Sequence, residues 1–297
     1  MSEPGTPAEY DLRGQVAIVT GGGRGLGRAF AQELAKAGAL VSVTARTKSQ
    51  VDETARMIKE SGGDALAFEA DVTDAGAAAR VVKETERLFG PVDILVNNAA
   101  SLYVSSVMES DVDEWWQLMN TNVRGPLIWA KTVLPGMVAR GRGRIINVSS
   151  IAAHWAVPHV SAYCSSKAAL SHFTRCLAAE VRQQGVTVLA FAPSARTELA
   201  SGLSAEGTTM SPELRAQFKK SFNSDVDDRM NWSVDTFMFL ASGAGDELAG
   251  RHISSLDSPG ELRMRLSDIV QKDEYTIRRE PPLPTKAQRS ALYSASR

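Results

Sequence analysis

Short apolar runs alternate along this chain with longer segments in which apolar and polar positions recur at helical spacing. Such runs are typical of buried strands, and the periodic segments between them are typical of helices with one buried face. The alternation predicts an α/β fold in which a parallel sheet is covered by helices on both faces. The predicted strands are 15–20, 40–45, 65–69, 92–96, 144–148, 186–191 and 251–256, and the predicted helices are 28–37, 50–61, 75–89, 162–183 and 232–240, with a further long helical segment around 115–122.

These elements form a single predicted domain at residues 11–260. Residues 1–10 contain Pro, Gly and acidic side chains, and we expect them to be flexible. Residues 194–228 are rich in Ser, Thr, Gly and charge, with a short helix predicted from Ser211, and a long insertion after a sheet strand is typical of a substrate lid. Residues 261–297 form a C-terminal extension, which begins as a predicted helix and ends in a polar stretch that we expect to be loosely held.

The composition narrows the classes of partner. The 297-residue chain is 43% hydrophobic and 23% charged, and its formal net charge is −1, which argues against nucleic acid or an anionic membrane as a partner. No basic and apolar leader is visible, and no apolar run is long enough to span a bilayer. Cys164 and Cys176 would lie about 18 Å apart on one helix, which excludes a disulfide between them. We therefore expect a cytoplasmic protein with a small-molecule substrate and no metal centre.

The first predicted strand runs directly into a glycine-rich turn, and a helix follows that turn. Strand, glycine turn and helix in this order predict a dinucleotide site, because the glycines let the backbone approach a pyrophosphate at the N-terminus of the helix. The alternative is a flexible turn that only joins two elements. The candidate cofactor contacts in the turn are Gly21, Arg24, Gly25, Leu26 and Gly27.

The end of the second predicted strand indicates which cofactor is bound. An acidic residue at this position binds the ribose hydroxyls of NAD, whereas an arginine suits the 2′-phosphate of NADP. Here the acid is missing and Arg46 follows the strand, with Arg24 in reach of the same phosphate. The sequence therefore favours NADP(H), with NAD(H) as the alternative. Arg46 as a solvated surface charge is the other interpretation.

Two more candidates follow the ends of the third and fourth predicted strands, Asp71 and Asn98, each with an apolar neighbour, Val72 and Ala99. Ligands of open α/β sheets bind beyond the carboxyl ends of the strands. We expect Asp71 on the adenine side of a bound nucleotide and Asn98 on the ribose side.

Tyr163 and Lys167 lie four residues apart on a predicted helix. One helical turn is 3.6 residues, so both side chains lie on one face, where the ammonium can help the phenol lose its proton. A pair of this kind also arises by chance, and its significance depends on the cofactor site and on a further hydrogen-bonding group.

Together these motifs resemble those of the short-chain dehydrogenase/reductase family over roughly residues 11–257. The glycine signature of the family is matched at Thr20, Gly21, Gly25 and Gly27, and further family motifs are matched at Asp71-Val72 and Asn97-Asn98-Ala99. The family's four catalytic residues correspond to Asn122, Ser150, Tyr163 and Lys167, where Ser150 is preferred to Ser149 because of its spacing from the tyrosine.

The resemblance implies a Rossmann fold and hydride transfer between a nicotinamide and a carbonyl or alcohol, as in a carbonyl reductase or alcohol dehydrogenase. Tyr163 would be the general acid and base, and Lys167 with the oxidised nicotinamide would favour its phenolate. Lys167 would also bind the nicotinamide ribose. Ser150 would hydrogen-bond the substrate oxygen, and Asn122 would keep a water near Lys167 for proton relay.

The chain departs from the family pattern in two places. After the sixth strand the family has Pro-Gly and then a Thr, whereas here Pro193 is followed by Ser194, and Thr197 comes one residue early. Pro193 and Thr197 are nevertheless the expected nicotinamide contacts. The last strand ends in Asp257 without the usual glycines and continues into the extension. In the family this region often builds an oligomer interface, and we expect a homodimer or a homotetramer.

Leu102, Tyr103, Trp155 and residues 194–228 are expected to form an apolar substrate wall, which favours a bulky or hydrophobic substrate. His154 and His159 are given no catalytic role. Two other functions remain open on the same scaffold: a non-redox lyase, epimerase or isomerase, and a non-catalytic nucleotide-binding protein that acts through contacts with a partner.

Overall fold

The computed structural model describes residues 10–194 and 229–276, together with Pro212 and Ala216 between them. These residues form a seven-stranded sheet in which all neighbouring strands are parallel. Helices cover both faces, so the predicted three-layer Rossmann-type fold is confirmed. The strands are β1 (Val16–Thr20), β2 (Leu40–Ala45), β3 (Ala65–Glu69), β4 (Ile94–Asn97), β5 (Gly143–Val148), β6 (Val186–Ala192) and β7 (His252–Ser254).

The helix at Gly125–Arg140 was not predicted, whereas the structure has helices close to those predicted at 28–37, 50–61, 75–89, 162–183 and 232–240. α3 is an example, since the Asp74 carboxylate accepts hydrogen bonds from the N–H groups of Gly76 and Ala77 at its start, and Gly90 ends it with φ +99°. The helices are α1 (Gly25–Lys36), α2 (Lys48–Glu60), α3 (Ala75–Phe89), α4 (Val112–Met119), α5 (Gly125–Arg140), α6 (Ser161–Val181), α7 (Arg229–Ala241) and α8 (Pro259–Gln271).

The sheet order is β3-β2-β1-β4-β5-β6-β7, so the direction of winding reverses between β1 and β4. The loops after these two strands leave toward opposite faces of the sheet, and a crevice opens between them at the carboxyl ends. The glycine turn after β1 and the Asn98 loop after β4 meet at this point.

The core consists of two apolar clusters, one on each face of the sheet. Ala17 and Val19 of β1 belong to one cluster and Val16 and Ile18 to the other, as the alternation of side chains along a strand requires. In the first cluster the ring of Phe30 stacks on that of Phe237, with centroids 4.0 Å apart. This contact joins α1, which follows the glycine turn, to α7.

Some predicted bounds are wrong for identifiable reasons. The long helix predicted around 115–122 is interrupted by a π-helical turn at Asn120–Arg124, which separates α4 from α5. β4 begins later than predicted, because the Asp93 carboxylate rather than a strand carbonyl accepts the Val16 N–H. β7 ends early, because Asp257 folds back and its carboxylate accepts the Ser254 N–H.

The described part of the C-terminal extension packs against the body of the domain. A capping box formed by Ser258 and Glu261 starts α8. Beyond α8 the Tyr275 carbonyl accepts the N–H of His252 at 2.9 Å, and the Tyr275 hydroxyl donates to Asp257 at 2.9 Å. The extension therefore covers the outer edge of β7.

Several sequence-based expectations lie outside the described residues. They are the flexible segment up to residue 9, the lid at 195–228 with its helix from Ser211, the nicotinamide contact at Thr197 and the loosely held end beyond residue 276. Within the described segments, no helix combines the length and the apolar character that crossing a bilayer requires.

Candidate active site

A cavity of about 770 Å³ lies at the carboxyl ends of the strands, where the sequence places its candidate residues. Of the predicted catalytic residues, Asn122 lies behind the cavity wall rather than on it. The predicted residues that line the cavity are Gly21, Arg24, Gly25, Leu26, Gly27, Arg46, Asp71, Val72, Asn98, Ala99, Ser150, Tyr163, Lys167 and Pro193.

The glycine turn is packed too tightly for a side chain at Gly27. A Cβ atom on Gly27 would lie 2.2 Å from the carbonyl oxygen of Gly21 and 2.4 Å from Nδ2 of Asn98. Gly21 has φ +64° and Gly25 has φ +53°, in the left-handed region that favours glycine. This packing brings the N-terminus of α1 to the cavity, where its first N–H groups can meet an anion.

Asn98 has a role that its position in the sequence did not indicate. Its amide donates to the carbonyls of Thr20, at 2.9 Å, and Gly21, at 3.2 Å, while the Thr20 hydroxyl accepts the main-chain N–H groups of Asn98 and Ala99. Asn98 therefore holds the glycine turn in place from the β4 side, and it also lines the cavity.

The cavity has a cationic end beside β1 and β2. Arg24 and Arg46 both line this end, and one carboxylate, Asp71, lies near them. Burial alone would raise the pKa of Asp71, but two hydrogen bonds from Thr73 and the charge of Arg46 outweigh it, so this pKa lies below its usual value. Asp71 is therefore a charged carboxylate, and its Oδ1 accepts hydrogen bonds from the N–H and the hydroxyl of Thr73.

Tyr163 and Lys167 share one face of α6, as predicted. Lys167 is only 2% exposed, and its ammonium group lies 5.6 Å from the centre of the Tyr163 ring. The ammonium donates to the main-chain carbonyl of Val148, the last residue of β5, at 2.8 Å. Burial lowers the pKa of Lys167 to about 8.

Ser150 is placed to act on the same phenol. Its hydroxyl accepts the N–H of Ala152 at 3.2 Å and so caps the 3₁₀ turn Ile151–Ala153. It also lies close enough to the Tyr163 phenol to act on its pKa. Burial raises the pKa of the Tyr163 phenol, the Ser150 hydrogen bond lowers it, and nearby Cys164 raises it, with burial the largest cause. The protein's own groups therefore keep this phenol protonated at neutral pH.

Asn122 lies in the π-helical turn and is fully buried. Its side-chain oxygen accepts the N–H of Ser101 at 2.8 Å, and its amide donates to the Ser101 carbonyl and to the hydroxyl of Ser166 at 3.0 Å. Ser166 is the neighbour of Lys167, so this contact ties the π turn to α6 beside Lys167. π turns of this kind are frequent at functional sites.

The other end of the cavity is apolar. Leu102 and Trp155 line it as expected, together with Ile151 and Leu256. Trp155 is 67% exposed, Leu256 62% and Ile151 43%, which are high values for large apolar side chains. Tyr103 does not belong to this wall, because its hydroxyl instead accepts the N–H of Asp111 at 2.8 Å.

Ser194, the first residue of the predicted wall segment 194–228, lines the cavity, and so does Leu256, which sequence reasoning missed. The hydroxyl of Ser255 accepts the Ser194 N–H at 2.8 Å and lies 2.7 Å from the Ser194 hydroxyl. These bonds fix the segment after Pro193, where the family has a glycine, to the end of β7. The position of Leu256 just beyond a strand end was a signal that could have identified it; the Ser194 contacts have no local signal.

The sequence matches the family described as short chain dehydrogenase over residues 15–206. A short chain dehydrogenase from Monascus ruber is 30% identical over 281 residues, which covers 92% of this chain and 88% of that protein. Another, from Pseudocercospora fijiensis, is 41% identical over 191 residues, which covers 63% of this chain and 62% of that protein.

Solved structures agree with this match. A gluconate 5-dehydrogenase from Burkholderia cenocepacia, solved in complex with NADP and tartrate, superposes with a TM-score of 0.72 at 28% sequence identity. The superposition covers 86% of this chain and 98% of that chain. The similarity therefore extends through the sheet and the cavity at its carboxyl edge.

We predict that Gly27→Ala destabilises the protein by about 1–3 kcal/mol, because the new methyl group overlaps the Gly21 carbonyl and the Asn98 amide. Chemical denaturation followed by circular dichroism measures the loss. The control is Gly260→Ala in α8, where a Cβ atom meets nothing within 4 Å. Equal stability of the two variants would contradict the close packing of the turn.

Proposed function

The chain belongs to the short-chain dehydrogenase family, and we propose that it transfers hydride between NADP(H) and a bulky, hydrophobic carbonyl or alcohol. Membership makes it a dehydrogenase or reductase; the cofactor preference, the substrate class and the residue roles are our proposals. One observation carries them. Tyr163, Ser150 and Lys167 meet on one wall of a cavity whose far end holds Arg24 and Arg46.

The residues of the cavity fit a dinucleotide. Gly27 leaves no room for a side chain but lets the backbone of the turn face the cavity, and the N-terminus of α1 offers N–H groups to a pyrophosphate. Lys167 has donors beyond the one used by Val148, and these are available to ribose hydroxyls. The Burkholderia structure of the same fold holds NADP.

Charge at the cationic end supports NADP(H) over NAD(H). Arg24 and Arg46 supply two guanidinium groups where the 2′-phosphate of NADP would lie. Asp71, the carboxylate near them, is expected on the adenine side of the nucleotide, and its Oδ1 accepts both hydrogen bonds from Thr73. A dianionic phosphate is therefore better matched by this end of the cavity than a pair of neutral hydroxyls.

The bound cofactor supplies or accepts the hydride at the nicotinamide ring, and the chain's own residues handle the oxygen and its proton. Ser150 donates a hydrogen bond to the substrate oxygen and so stabilises charge that develops on it. Tyr163 donates its proton to that oxygen in reduction and takes it back in oxidation. Lys167 holds positive charge beside the phenol, and Asn122 keeps the π turn and Ser166 fixed behind it.

The apolar end of the cavity supports the substrate class. Leu102, Ile151, Trp155 and Leu256 present large apolar surfaces at its mouth. Exposed apolar side chains clustered in this way mark binding sites, because they gain free energy when an apolar ligand removes them from water. A ketone or alcohol with a bulky apolar group is therefore preferred to a small polar one.

We expect Tyr163→Phe to lower kcat by about 10²–10⁴-fold, the usual contribution of a general acid, because only the phenolic oxygen is removed. NADPH consumption is measured against a panel of hydrophobic ketones and aldehydes, and the Kd of NADPH is measured by fluorescence and should change little. The control is Tyr10→Phe, whose hydroxyl bonds Arg263 away from the cavity. A Tyr163→Phe enzyme as fast as the parent would exclude this acid.

Arg46→Ala is predicted to weaken NADPH binding about 10- to 100-fold, the size of one charge-assisted hydrogen bond, with little effect on NADH. The two Kd values are measured by nucleotide fluorescence. Arg56→Ala on the outer face of α2, where Arg56 pairs with Glu53, is the matched control and should leave both values unchanged. Equal losses for NADPH and NADH would rule out the 2′-phosphate role.

The pH dependence of alcohol oxidation should report on Tyr163, which must be deprotonated to accept a proton. kcat/KM for oxidation is expected to rise with pH and to level off above the pKa of Tyr163. Ser150→Ala removes the hydrogen bond that lowers this pKa, so the rise should move to higher pH by about one pH unit. Ser61→Ala, at the exposed end of α2, is the control. An unshifted profile in Ser150→Ala would contradict the Ser150–Tyr163 contact.

A further inference from the structure

Buried polar side chains form a hydrogen-bonded series from the end of β5 through α6 to β7. The series lies behind the catalytic wall, the side of the cavity formed by Ser150, Tyr163 and Lys167. The hydroxyl oxygens of Ser149 and Ser171 are 2.8 Å apart, and the Ser171 oxygen is 2.9 Å from Nδ1 of His252. At the other end the Ser149 hydroxyl donates to the main-chain carbonyl of Lys167 at 3.3 Å. His252 is 92% buried, and the proposed hydride transfer assigns it no role.

The direction of these hydrogen bonds follows from the donors available. The Lys167 carbonyl only accepts, so Ser149 donates to it, Ser171 donates to Ser149, and Nδ1–H of His252 donates to Ser171. Burial, the largest cause, and the charges of His154 and Lys167 together lower the pKa of His252 to about 4. The ring is therefore neutral at pH 7, with its one proton on Nδ1.

His252 also contacts the turn that follows Ser150. Its ring packs edge-on against His154, with centroids 4.4 Å apart and planes at 67°. His154 directly follows the 3₁₀ turn that the Ser150 hydroxyl caps. Ser149, which precedes Ser150, is therefore linked to His252 through Ser171, and His154, which ends the turn after Ser150, contacts the His252 ring directly.

We propose that His252 is a positioning residue, which through Ser171 and Ser149 fixes the main chain next to Ser150 and at Lys167, and through His154 fixes the turn after Ser150. The inference rests on the proposed function, in which Ser150 binds the substrate oxygen and Tyr163 exchanges its proton.

Ser150 depends on such support because its hydroxyl bonds both the turn and the Tyr163 phenol. A shift of its main chain changes both bonds at once. Misplacement of a catalytic group by about 1 Å costs up to about 10²-fold in rate. Loss of the His252 chain should therefore act on kcat rather than on cofactor binding.

Three variants separate hydrogen bonding from packing. His252→Phe keeps a ring against His154 but removes the donor to Ser171, and Ser171→Ala removes one oxygen from the chain. His252→Asn puts an amide nitrogen where Nδ1 lies and so restores the donor. We expect His252→Phe and Ser171→Ala to lower kcat about 10- to 100-fold with little change in KM or in the Kd of NADPH. His252→Asn restores the donor but not the ring contact with His154, so it should recover part of the rate.

Thr85→Val is the matched control. The Thr85 hydroxyl donates to Ser42 at 2.9 Å in an equally buried pair between α3 and β2, remote from the catalytic wall. Removing this hydroxyl should lower Tm as Ser171→Ala does and leave kcat unchanged. All rates are measured well below the Tm of each variant and expressed per NADPH-binding site.

A second measurement needs no turnover. The phenolate absorbance of Tyr163, taken as the difference from the same variant carrying Tyr163→Phe, gives the pKa of this phenol directly. Cys164, Lys167 and Ser150 are its ionisable or hydrogen-bonding neighbours. Loosening Ser150 should raise the pKa of Tyr163 by about one pH unit in Ser171→Ala and His252→Phe, the size of one hydrogen bond. His252→Asn and Thr85→Val should not shift it.

Unchanged kcat and unchanged Tyr163 pKa in both Ser171→Ala and His252→Phe would overturn the inference, as would a His252→Asn enzyme as impaired as His252→Phe. If His252→Phe does not fold, Ser171→Ala carries the test. If the parent reduces no carbonyl while the Tyr163 pKa still rises in Ser171→Ala, the proposed function fails and the positioning role stands.

Discussion

Burying the ammonium group of Lys167 is the constraint on which the site depends. A buried charge is tolerated only when it is hydrogen-bonded, and the bond here goes to the carbonyl of Val148 at 2.8 Å. Because Val148 ends β5, this bond sets α6 against the strand that leads into Ser150. Tyr163, one turn before Lys167 on the same face, then lies against the Ser150 hydroxyl. The hydrogen bond from Lys167 to the Val148 carbonyl therefore has two effects. It stabilises the buried ammonium, and it brings Tyr163 next to Ser150.

The cationic end of the cavity, at Arg24 and Arg46, is joined to Tyr163 and Ser150 through polar groups buried in the sheet. The Asn97 amide donates to the side chain of Asn147 at 2.8 Å, and the Asn147 amide donates to the Thr174 hydroxyl at 2.8 Å. These bonds link β4, β5 and α6, while Asn98 links β4 to the glycine turn. Buried amides paired in this way hold their elements in one arrangement, since a shift would break a buried hydrogen bond. The distance between the cationic end and the phenol is fixed in this way.

The sequence predicts features that depend on neighbouring residues, and it does not predict features that depend on contacts between residues far apart in the chain. The bounds of β2, β3 and α3 come from local apolar patterns and local caps, and the structure has them as predicted. Clusters at strand ends were predictable because parallel strands share an edge. The π turn at Asn122 was not, because its helix-like pattern is continuous with α4 and α5. Nor was the pairing of Ser171 with His252, 81 residues apart, because no local periodicity records it.

The C-terminal extension helps to hold β7, the strand that carries His252, in place. β7 is the outer strand of the sheet, and its exposed edge would leave the His252 N–H without a partner in the ladder. Tyr275 supplies that partner with its carbonyl while its hydroxyl bonds Asp257, and it does so at φ +60°, a conformation that costs a non-glycine residue about 1–3 kcal/mol. Such strain persists only when several contacts hold it. Since β7 carries His252 and, just beyond its end, Leu256 of the apolar wall, the extension supports this side of the cavity from outside the sheet.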